Sequence, residues 1–477
     1  MEVLQRTANR GSIATGAASY DIANSLKFES DNGTGETLYA LPWSSAGTRT
    51  THTWSIWVKR TELGTRQMLL EGAAGITATT QLSLSFQTND ALEVRVGEFV
   101  PGSQAGTVYR LTNRVFRDTS AWYNIVVRWD TTQATEADRI KLWVNGVQET
   151  SFNLATYPAL NSSSDMFNSG TAFEIGRYST GNNEYFDGSM SHLHCCSGYA
   201  YDASAFGQFD ANGVWTINTS PSVTYGTNGF FILKDGNSVT DQSGNGNNFT
   251  VAGGTLTNTE DNPSNVFATL DAIQYKTSAL TYSNGNNTVS FPGAWVFALS
   301  QWGVSSGKWY WEAKVNSGNN ANSYYGICAE MVPAGNGFYN NSQNGAIMYA
   351  AGDSGDIYID GSYTASAQTP QNKNTDILGL ALDLDSGTKT LKIYKNGTQL
   401  TSGGTVNLSS YYNDTLVFPC FSGNSSSASC SFNVNFGNGY FGTTAVSSAG
   451  TNASGIGIFE YDVPTGYTAL STKGLNL

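Results

Sequence analysis

Short alternations of apolar and polar residues run through the chain, and Gly, Asn, Ser or Asp separates each one from the next. The segment "TWSIWVK" places Trp54, Ile56 and Val58 on one face, and "LEVRVG", "NIVVRWD" and "RIKLWV" alternate in the same way. A period of two residues is the pattern of a β-strand with one buried face. We therefore predict antiparallel strands that pack as a β-sandwich.

A second run of the same kind occupies the C-terminal half. The segment "ILGLALDLDSG" aligns four leucines on one face, and a turn at Ser386-Gly387 leads into the strand "TLKIYK". Asn145-Gly146 and Asn396-Gly397 suit type I′ hairpin turns, because both central positions of that turn need positive φ. The shared order of strand, turn, strand and Asn-Gly predicts two related sandwiches in one all-β chain.

The pattern divides the 477 residues into segments. The predicted segments are an N-terminal arm, a first sandwich, a Gly/Asn-rich bridge, a second sandwich and a C-terminal coda, at residues 1–24, 25–215, 216–265, 266–453 and 454–477. The arm lacks strand periodicity and carries Arg6 and Arg10 in an acidic chain. We expect it to be an anchor that is ordered only where something holds it.

Composition argues against two classes of partner. Lys plus Arg total 24 and Asp plus Glu total 37, which gives a net charge of −13. Such a surface repels nucleic acid and anionic membranes, since no basic run exceeds two residues. No apolar run approaches the roughly 18 residues that a membrane span needs. We expect no nucleic-acid partner and no membrane insertion.

The N-terminus and the cysteines bear on the compartment. The start "MEVLQRTANRGS" has no apolar core of a secretory signal, so synthesis and assembly in a cytoplasm are expected. Five scattered cysteines do not form a disulfide framework. Cys420 and Cys430 flank a Ser-rich turn symmetrically, and the sequence leaves open whether they pair across a hairpin.

The stretch "SMSHLHCCSG" concentrates two of the three histidines and two of the five cysteines. Strict alternation would place Met190, His192, His194 and Cys196 on one face of a strand, with Leu193 and Cys195 on the other. Those ligands cannot converge on a tetrahedral ion without a bulge, and zinc prefers wider spacing than adjacent cysteines offer. We predict a half-buried strand and no metal.

Calcium is the one cofactor that the sequence leaves open. The stretch "DQSGNGNN" offers oxygen ligands at Asp241, Asn245 and Asn247, which suit that ion. It lacks the downstream bidentate Glu of an EF-hand loop. A glycine-rich turn without an ion is the simpler interpretation.

Catalytic patterns were sought because some sandwiches hydrolyse glycosidic bonds. No Glu-x-Asp-x-x-Glu string occurs, and Asp383 and Asp385 lead into a turn that their side chains would cap. The chain also lacks Gly-x-Ser-x-Gly and a phosphate-binding loop. We therefore expect no enzymatic activity and no catalytic residues.

Several pieces of the sequence resemble known families. The first block resembles a laminin-G-like, concanavalin-type sandwich in "SLKFESD", "TWSIWVKR", "WYNIVVRWD", "KLWVNGV" and "FEIGRYSTGNNEYFDGSM". The second resembles a SPRY domain in "SSGKWYWEAKV", "YYGICAE", "LGLALDLDSGTKTLKIYKNG" and "LVFPCFSG". The joined series, from "RTANRGSI" through "NPSNVFATL" to "YDVPTGYTALSTKGLNL", is similar to two-sandwich structural proteins of tailed bacteriophages, of the marine phage type.

That resemblance implies a non-enzymatic protein on the virion surface, either a head decoration, a head fibre or a tail fibre. Its implied partners are other capsid or tail proteins and further copies of itself, as a homotrimer, with synthesis in the cytoplasm of a bacterial host. A stand-alone glycan-binding lectin or adhesin is the alternative, and a glycoside hydrolase on a concanavalin-type fold is the third class.

Aromatic and amide residues in two predicted rim loops indicate where host surface glycans would be contacted. Carbohydrate sites pair an aromatic face with side chains that match hydroxyl groups, although turns and protein interfaces use the same residues. The candidates from the two loops are Tyr178, Asn182, Asn183 and Tyr185, and Phe338, Tyr339 and Asn340.

Overall fold

Strands account for nearly all regular structure, and the chain divides into two units between Val266 and Phe267. A computed structural model describes residues 21–29, 37–40, 43, 45–73, 82–96, 108–164, 166–170, 172–178, 184–235, 239–273, 280–291, 296–318, 323–328, 347–350, 355–359, 362–365, 375–401, 403–410, 416–423 and 429–476. These residues contain no α-helix, only 3-10 turns at Glu136–Asp138, Ala203–Ala205 and Gly474–Asn476. None of these turns has the length and apolar composition needed to cross a membrane. The prediction of an all-β chain is confirmed.

Strands of the first unit follow one another at short intervals. In its described part they are β1 (Ser25–Phe28), β2 (Thr37–Ala40), β3 (Thr51–Arg60), β4 (Gln67–Ala73), β5 (Leu82–Phe86), β6 (Ala91–Val96), β7 (Val108–Val115), β8 (Tyr123–Asp130), β9 (Ile140–Val144), β10 (Val147–Gln148), β11 (Phe152–Ala155), β12 (Ala172–Ile175), β13 (Gly188–Ser197), β14 (Gly207–Phe209), β15 (Trp215–Ile217), β16 (Phe230–Ile232), β17 (Phe249–Gly253) and β18 (Thr257–Thr259).

Two eight-stranded antiparallel sheets form the first sandwich. The first sheet has the order β10-β9-β8-β3-β13-β1-β18 with β16 beside β13, and the second has the order β11-β7-β6-β5-β4-β12-β2-β17. Trp54, Ile56 and Val58 of β3 share one apolar cluster with Leu84 and Val94 of the second sheet. Alternation therefore does fix which face of these strands lies between the sheets, although the opposite face of β3 is buried as well.

The segment predicted as a bridge, residues 216–265, contributes β16, β17 and β18 to these two sheets. Its Gly and Asn content favoured a linker. Phe230 and Phe249 nevertheless pack edge to face with ring centroids 4.8 Å apart, inside the core of the first unit. Two aromatic side chains at strand positions thus supply the apolar contacts that hold this polar segment in the sandwich.

Asp261 ties the end of the first unit to its interior. Its carboxylate accepts a hydrogen bond from Lys59 and another, of 3.0 Å, from Nε1 of Trp122. The backbone oxygen of Asp261 accepts a 2.5 Å hydrogen bond from the hydroxyl of Ser25 in β1. Both side chains of the Lys59–Asp261 pair are buried, so each charge is compensated by the other where water cannot reach it.

The second unit has shorter strands in its described part. They are β19 (Thr281–Ser283), β20 (Thr288–Phe291), β21 (Val296–Leu299), β22 (Lys308–Gly318), β23 (Ser323–Cys328), β24 (Ile347–Ala350), β25 (Ile357–Ile359), β26 (Ser362–Ala365), β27 (Leu378–Asp383), β28 (Thr390–Lys395), β29 (Thr398–Gln399), β30 (Thr405–Asn407), β31 (Phe418–Gly423), β32 (Cys430–Asn435), β33 (Tyr440–Phe441), β34 (Thr444–Ala445) and β35 (Thr468–Ala469).

A nine-stranded and a six-stranded sheet form the second sandwich. The larger has the order β19-β20-β32-β22-β27-β28-β29 with β30 and β35 at its sides, and the smaller has the order β21-β31-β23-β24-β25-β26. Tyr325 of the smaller sheet packs edge to face on Phe432 of the larger, with ring centroids 4.9 Å apart. Trp311 lies opposite Leu380 in the larger sheet, so the predicted leucine row is buried in this core.

The C-terminal coda packs on the nine-stranded sheet through two polar side chains. Glu312 accepts hydrogen bonds from the backbone N–H groups of Glu460 (2.8 Å) and Tyr461 (2.9 Å), and Asn435 donates to the oxygen of Ile458 (2.9 Å). Burial raises the pKa of Glu312 to about 7, although the two backbone donors oppose that shift. The coda is thus held by a carboxyl group that titrates near neutral pH.

Both Asn-Gly turns have the backbone that the sequence predicts. Asn145 and Gly146 have φ values of 48° and 76°, and Asn396 and Gly397 have φ values of 48° and 77°. The structure also shows whether Cys420 and Cys430 pair, which the sequence left open. Cys420 lies in β31 of the six-stranded sheet and Cys430 in β32 of the nine-stranded sheet, so they do not face each other across a hairpin. All five cysteines are free and buried.

Candidate functional site

A β-bulge lies at the centre of strand β13, where the histidines and cysteines cluster. Ser191 pairs with Trp57 and His194 pairs with Ser55, so two residues of β13 lie opposite the single residue Ile56. His192 occupies the left-handed region with φ of 47°, which is uncommon for a residue other than glycine. The extra residue shifts the alternation by one position from this point onward.

The bulge overturns the predicted face of Met190. Met190, Leu193 and Cys195 all belong to the core cluster of the first sandwich. His192 and His194 lie on the opposite face, where both rings contact Phe231. Strict alternation had grouped Met190 with the histidines, and it failed because the inserted residue reverses the faces.

The two histidines are packed as neutral rings. His194 stacks on Phe231 with ring centroids 3.9 Å apart, and its Nδ1 forms a 2.9 Å hydrogen bond with the hydroxyl of Tyr225. Burial lowers the pKa of His192 to about 4 and that of His194 well below its ordinary value. Within the described ranges, no three His, Cys, Asp or Glu side chains come close enough to hold a metal ion.

An aromatic series connects this buried strand with the surface. Tyr225 stacks above His194 at an interplanar angle of 17°, and Phe206 contacts the same histidine. Tyr201 packs edge to face on Phe206, and its ring lies 6.2 Å from that of Tyr199 at an angle of 15°. The series ends at Tyr199, whose side chain is exposed.

An open groove lies beside this series and has a volume of about 590 Å³. One wall is the segment 223–227 and the other is the turn that follows Asp241. The groove is lined by Val223, Thr224, Tyr225, Gly226, Thr227, Ser243 and Asn245. None of these lining residues carries a charge, and the N–H of Thr224 donates a 2.9 Å hydrogen bond to the hydroxyl of Tyr201. The groove and the surface tyrosines are therefore in direct contact.

The calcium candidates belong to the turn at the second wall, where only Asn245 lines the groove, and their polar atoms are engaged within the protein. Asp241 accepts hydrogen bonds from the backbone N–H groups of Phe231 (2.8 Å) and Asn247 (2.9 Å) and from the hydroxyl of Ser243 (2.7 Å). The amide groups of Asn245 and Asn247 each donate to the oxygen of Gly229 at 2.8 Å. Both carboxylate oxygens of Asp241 thus already have donors, which favours the turn without an ion.

The predicted rim loops are only partly described. Tyr178 and Tyr185 are half-buried, and Arg177 bonds Glu174 at 2.5 Å and also the hydroxyl of Tyr185. These contacts hold Tyr185 beside the C-terminal end of β12. The other predicted site residues lie outside the described residues, namely Asn182, Asn183, Phe338, Tyr339, Asn340, Arg6 and Arg10.

A row of polar and acidic or basic side chains crosses the outer face of the second sheet. Glu174, Glu71, Ser83 and Arg95 occupy the same register position on β12, β4, β5 and β6. The cluster continues around Glu93, and its ion pairs are Arg95–Glu93 at 3.1 Å, Arg66–Glu93 at 3.4 Å and Arg66–Glu184 at 3.3 Å. Because its members come from several strands, spacing within one strand does not predict it.

Sequence reasoning missed the groove and its tyrosines. Tyr199 and Tyr201 stand two residues apart in "SGYAYDASAF", and the wall is "SVTYGTNG". An i, i+2 pair of tyrosines just after a buried strand is a usable signal for a surface aromatic pair. The contact between Tyr201 and Thr224 joins residues 23 positions apart and has no local signature.

Two protein-family models match the chain, one in each unit. The model described as "Concanavalin A-like lectin/glucanases superfamily" matches residues 32–199, and the model of the SPRY domain matches residues 308–439. The chain therefore carries a laminin-G-like, concanavalin-type domain followed by a SPRY domain. The fold part of the resemblance seen in the sequence is confirmed.

Solved structures with similar folds are distant from this chain. The SPRY domain of human HERC1 is 17% identical, covers 35% of this chain and 92% of its own, and has a TM-score of 0.28. A SAP-like pentraxin from Limulus polyphemus is 13% identical, with coverage of 46% and 95% and a TM-score of 0.29. Domains LG4-5 of the mouse laminin alpha1 chain are 9% identical, with coverage of 88% and 90% and a TM-score of 0.30. A search of curated proteins found no match.

Proposed function

We propose that this protein is a non-enzymatic component of a bacteriophage particle surface, and that its first sandwich contacts host glycans. The open, uncharged groove beside Tyr201 and Tyr225 carries this proposal. The groove is a further contact site beside the rim loops of the sequence prediction, which stay a prediction.

The groove offers the groups that sugars need. Thr224 and Thr227 bring hydroxyl groups to it and Tyr225 part of an aromatic ring, whereas the hydroxyl of Ser243 and the amide of Asn245 already donate to Asp241 and Gly229. Hydroxyls and amides both donate and accept, which matches the mixed character of sugar hydroxyl groups. The site is shallow and open, so a single sugar would bind weakly, at about −4 kcal/mol for a millimolar Kd.

Weak single-site binding is compatible with the proposed place on a particle. Repetition of linked sites raises avidity by roughly 10²–10⁴-fold without new contacts. The ordered series of sequence pieces that resembles phage structural proteins supports a virion role as head decoration, head fibre or tail fibre. In that role a homotrimer attached to capsid or tail proteins, made in the host cytoplasm, presents many copies of the groove.

Two measurements on phage particles test this proposal. Imaging of particles that carry a label on the C-terminus should place the protein on the outer surface of head or tail. Particles that lack the protein should adsorb to host cells more slowly than complete particles. Normal adsorption without the protein would contradict glycan recognition and leave a decorating role, and absence of the label from particles would favour a stand-alone lectin.

The third class, a glycoside hydrolase, has one observation in its favour. Glu71 and Glu174 lie directly opposite each other on neighbouring strands, a pairing that brings Cβ atoms to about 5 Å and resembles the close carboxyl pair of retaining enzymes. Both residues are nearly buried, and Glu174 is neutralised by Arg177. We assign them a structural role. Release of reducing ends from host polysaccharide that disappears in Glu71→Gln would contradict it.

A further inference from the structure

We propose that Tyr199 and Tyr201 form a second subsite continuous with the groove, and that the ligand is a neutral oligosaccharide of at least two sugar rings. This inference rests on the proposed glycan contact and adds its ligand class. A single sugar ring would occupy the groove, whereas a longer chain would also cover the tyrosine pair.

The tyrosine pair is a rigid aromatic surface. The two ring planes are within 15° of each other and their centroids are 6.2 Å apart, which is the geometry of an offset stack. Tyr199 is 41% exposed. Nearly parallel rings that still expose a face are the geometry on which the C–H side of a sugar packs.

Strand β3 holds this surface in place. The hydroxyl of Thr53 donates a 2.9 Å hydrogen bond to the backbone oxygen of Tyr199 and accepts a 2.8 Å hydrogen bond from the N–H of Tyr201. Thr53 belongs to β3, the central strand of the first sheet, so the platform is attached to a strand that is hydrogen-bonded on both sides. Little conformational freedom would be lost on binding, which favours affinity.

The tyrosine pair and the groove form one continuous surface. Thr224 lines the groove, and its N–H donates to the hydroxyl of Tyr201. A chain of sugars can therefore run from the groove onto the rings without crossing a gap.

Charge decides the class of glycan. The groove has no charged lining residue, and hydrogen bonds within the protein already occupy the nearest carboxylate, Asp241. Asp202, next to Tyr201, is paired with Arg128. None of the residues that line the groove is a cation that would offset the cost of bringing an acidic sugar to a chain of net charge −13. A neutral glycan is the ligand that this surface fits.

Binding of the labelled full-length protein to a glycan array tests the inference. The array displays neutral, acidic and amino sugars as single rings and as linear oligomers. We expect signal on neutral oligomers that exceeds the signal on their single rings. Tyr199→Ala should weaken oligomer binding about tenfold, as is common when a central aromatic contact is removed, and Tyr199→Phe should retain it.

Two further variants separate the possible failures. Tyr157→Ala removes a similarly exposed tyrosine outside this surface and should leave binding unchanged. Thr227→Trp fills the groove and should abolish binding of single rings and oligomers alike. No binding to any glycan would contradict the proposed function itself. Two results would overturn only the oligosaccharide subsite. In the first, Thr227→Trp abolishes binding, but binding does not depend on chain length or on Tyr199. In the second, the protein prefers acidic glycans.

Discussion

The hydroxyl of Tyr225 and Nδ1 of His194 form a 2.9 Å hydrogen bond that links a wall of the surface groove to the buried centre of strand β13. The unusual His/Cys stretch therefore supports a wall of the groove from beneath. The bulge at His192 is what directs this support, because it reverses the faces of β13 and places His194 against Tyr225 rather than in the core.

Tyr225→Phe removes that hydrogen bond and keeps the ring. We expect the free energy of unfolding of the first sandwich to fall by about 1 kcal/mol, the usual net value of a buried hydrogen bond. Urea denaturation measures this. Tyr199→Phe, which removes a hydroxyl from an exposed ring, is the matched control and should change stability by a few tenths of a kcal/mol. An equal loss in both variants would show that the Tyr225–His194 bond contributes nothing specific.

The three buried histidines should make the first sandwich sensitive to acid. Burial lowers the pKa of His52 to about 3 and that of His192 to about 4 from 6.5, and that of His194 well below 6.5. The unfolded chain then binds protons that the folded chain rejects, so stability present above pH 6.5 is lost as pH falls. Each histidine contributes a slope of about 1.4 kcal/mol per pH unit.

Urea unfolding at a series of pH values measures this slope. A short pulse of hydrogen exchange, always at the same pH, reports the unfolded fraction through the peptides of β13. Glu184, whose pKa is raised by burial, acts in the opposite direction, but three histidines outweigh one glutamate. His192→Gln should flatten part of the dependence. A stability of the first sandwich that is constant between pH 6.5 and 4 would contradict neutral burial of these rings.

The buried carboxyl group of Glu312 should give the stability of the second sandwich the opposite dependence on pH. Burial raises its pKa from 4.5 to about 7, so the folded state binds a proton more tightly than the unfolded state does. Its contribution to stability is complete below pH 4.5 and is lost as pH rises through about 7. The same exchange experiment, read on β22 and coda peptides, should show this loss in wild type and not in Glu312→Gln. The histidine-dependent trend of the first sandwich is the internal control and should be unchanged.

Removal of Asp261 should be among the most damaging single changes. Asp261→Ala leaves the ammonium group of Lys59 buried without its partner and also deprives Trp122 of an acceptor. We expect a loss of about 3–5 kcal/mol, whereas Lys59→Met combined with Asp261→Leu should cost far less. Equilibrium unfolding of the single and double variants gives the coupling energy. Equal losses in both would mean that packing, rather than the unpaired charge, sets the cost.

Sequence patterns predicted the fold well because rows such as Trp54, Ile56 and Val58 must alternate to be buried on one side. They failed where a local irregularity or a distant contact decides the outcome. One inserted residue at His192 reverses a strand face, and two phenylalanines, Phe230 and Phe249, bind a Gly/Asn-rich segment into the sheets. The groove depends on the contact between Thr224 and Tyr201, which no spacing rule encodes.

The central claim is that the groove of the first sandwich contacts the host surface. It is tested most directly by adsorption of phage particles that carry Thr227→Trp, compared with wild type and with Thr255→Trp. Thr227 lines the groove, and Thr255 is an exposed threonine of the same unit that does not line it. We predict slow adsorption for Thr227→Trp alone, with normal assembly of all three particles. Equal adsorption rates for the three would contradict the claim.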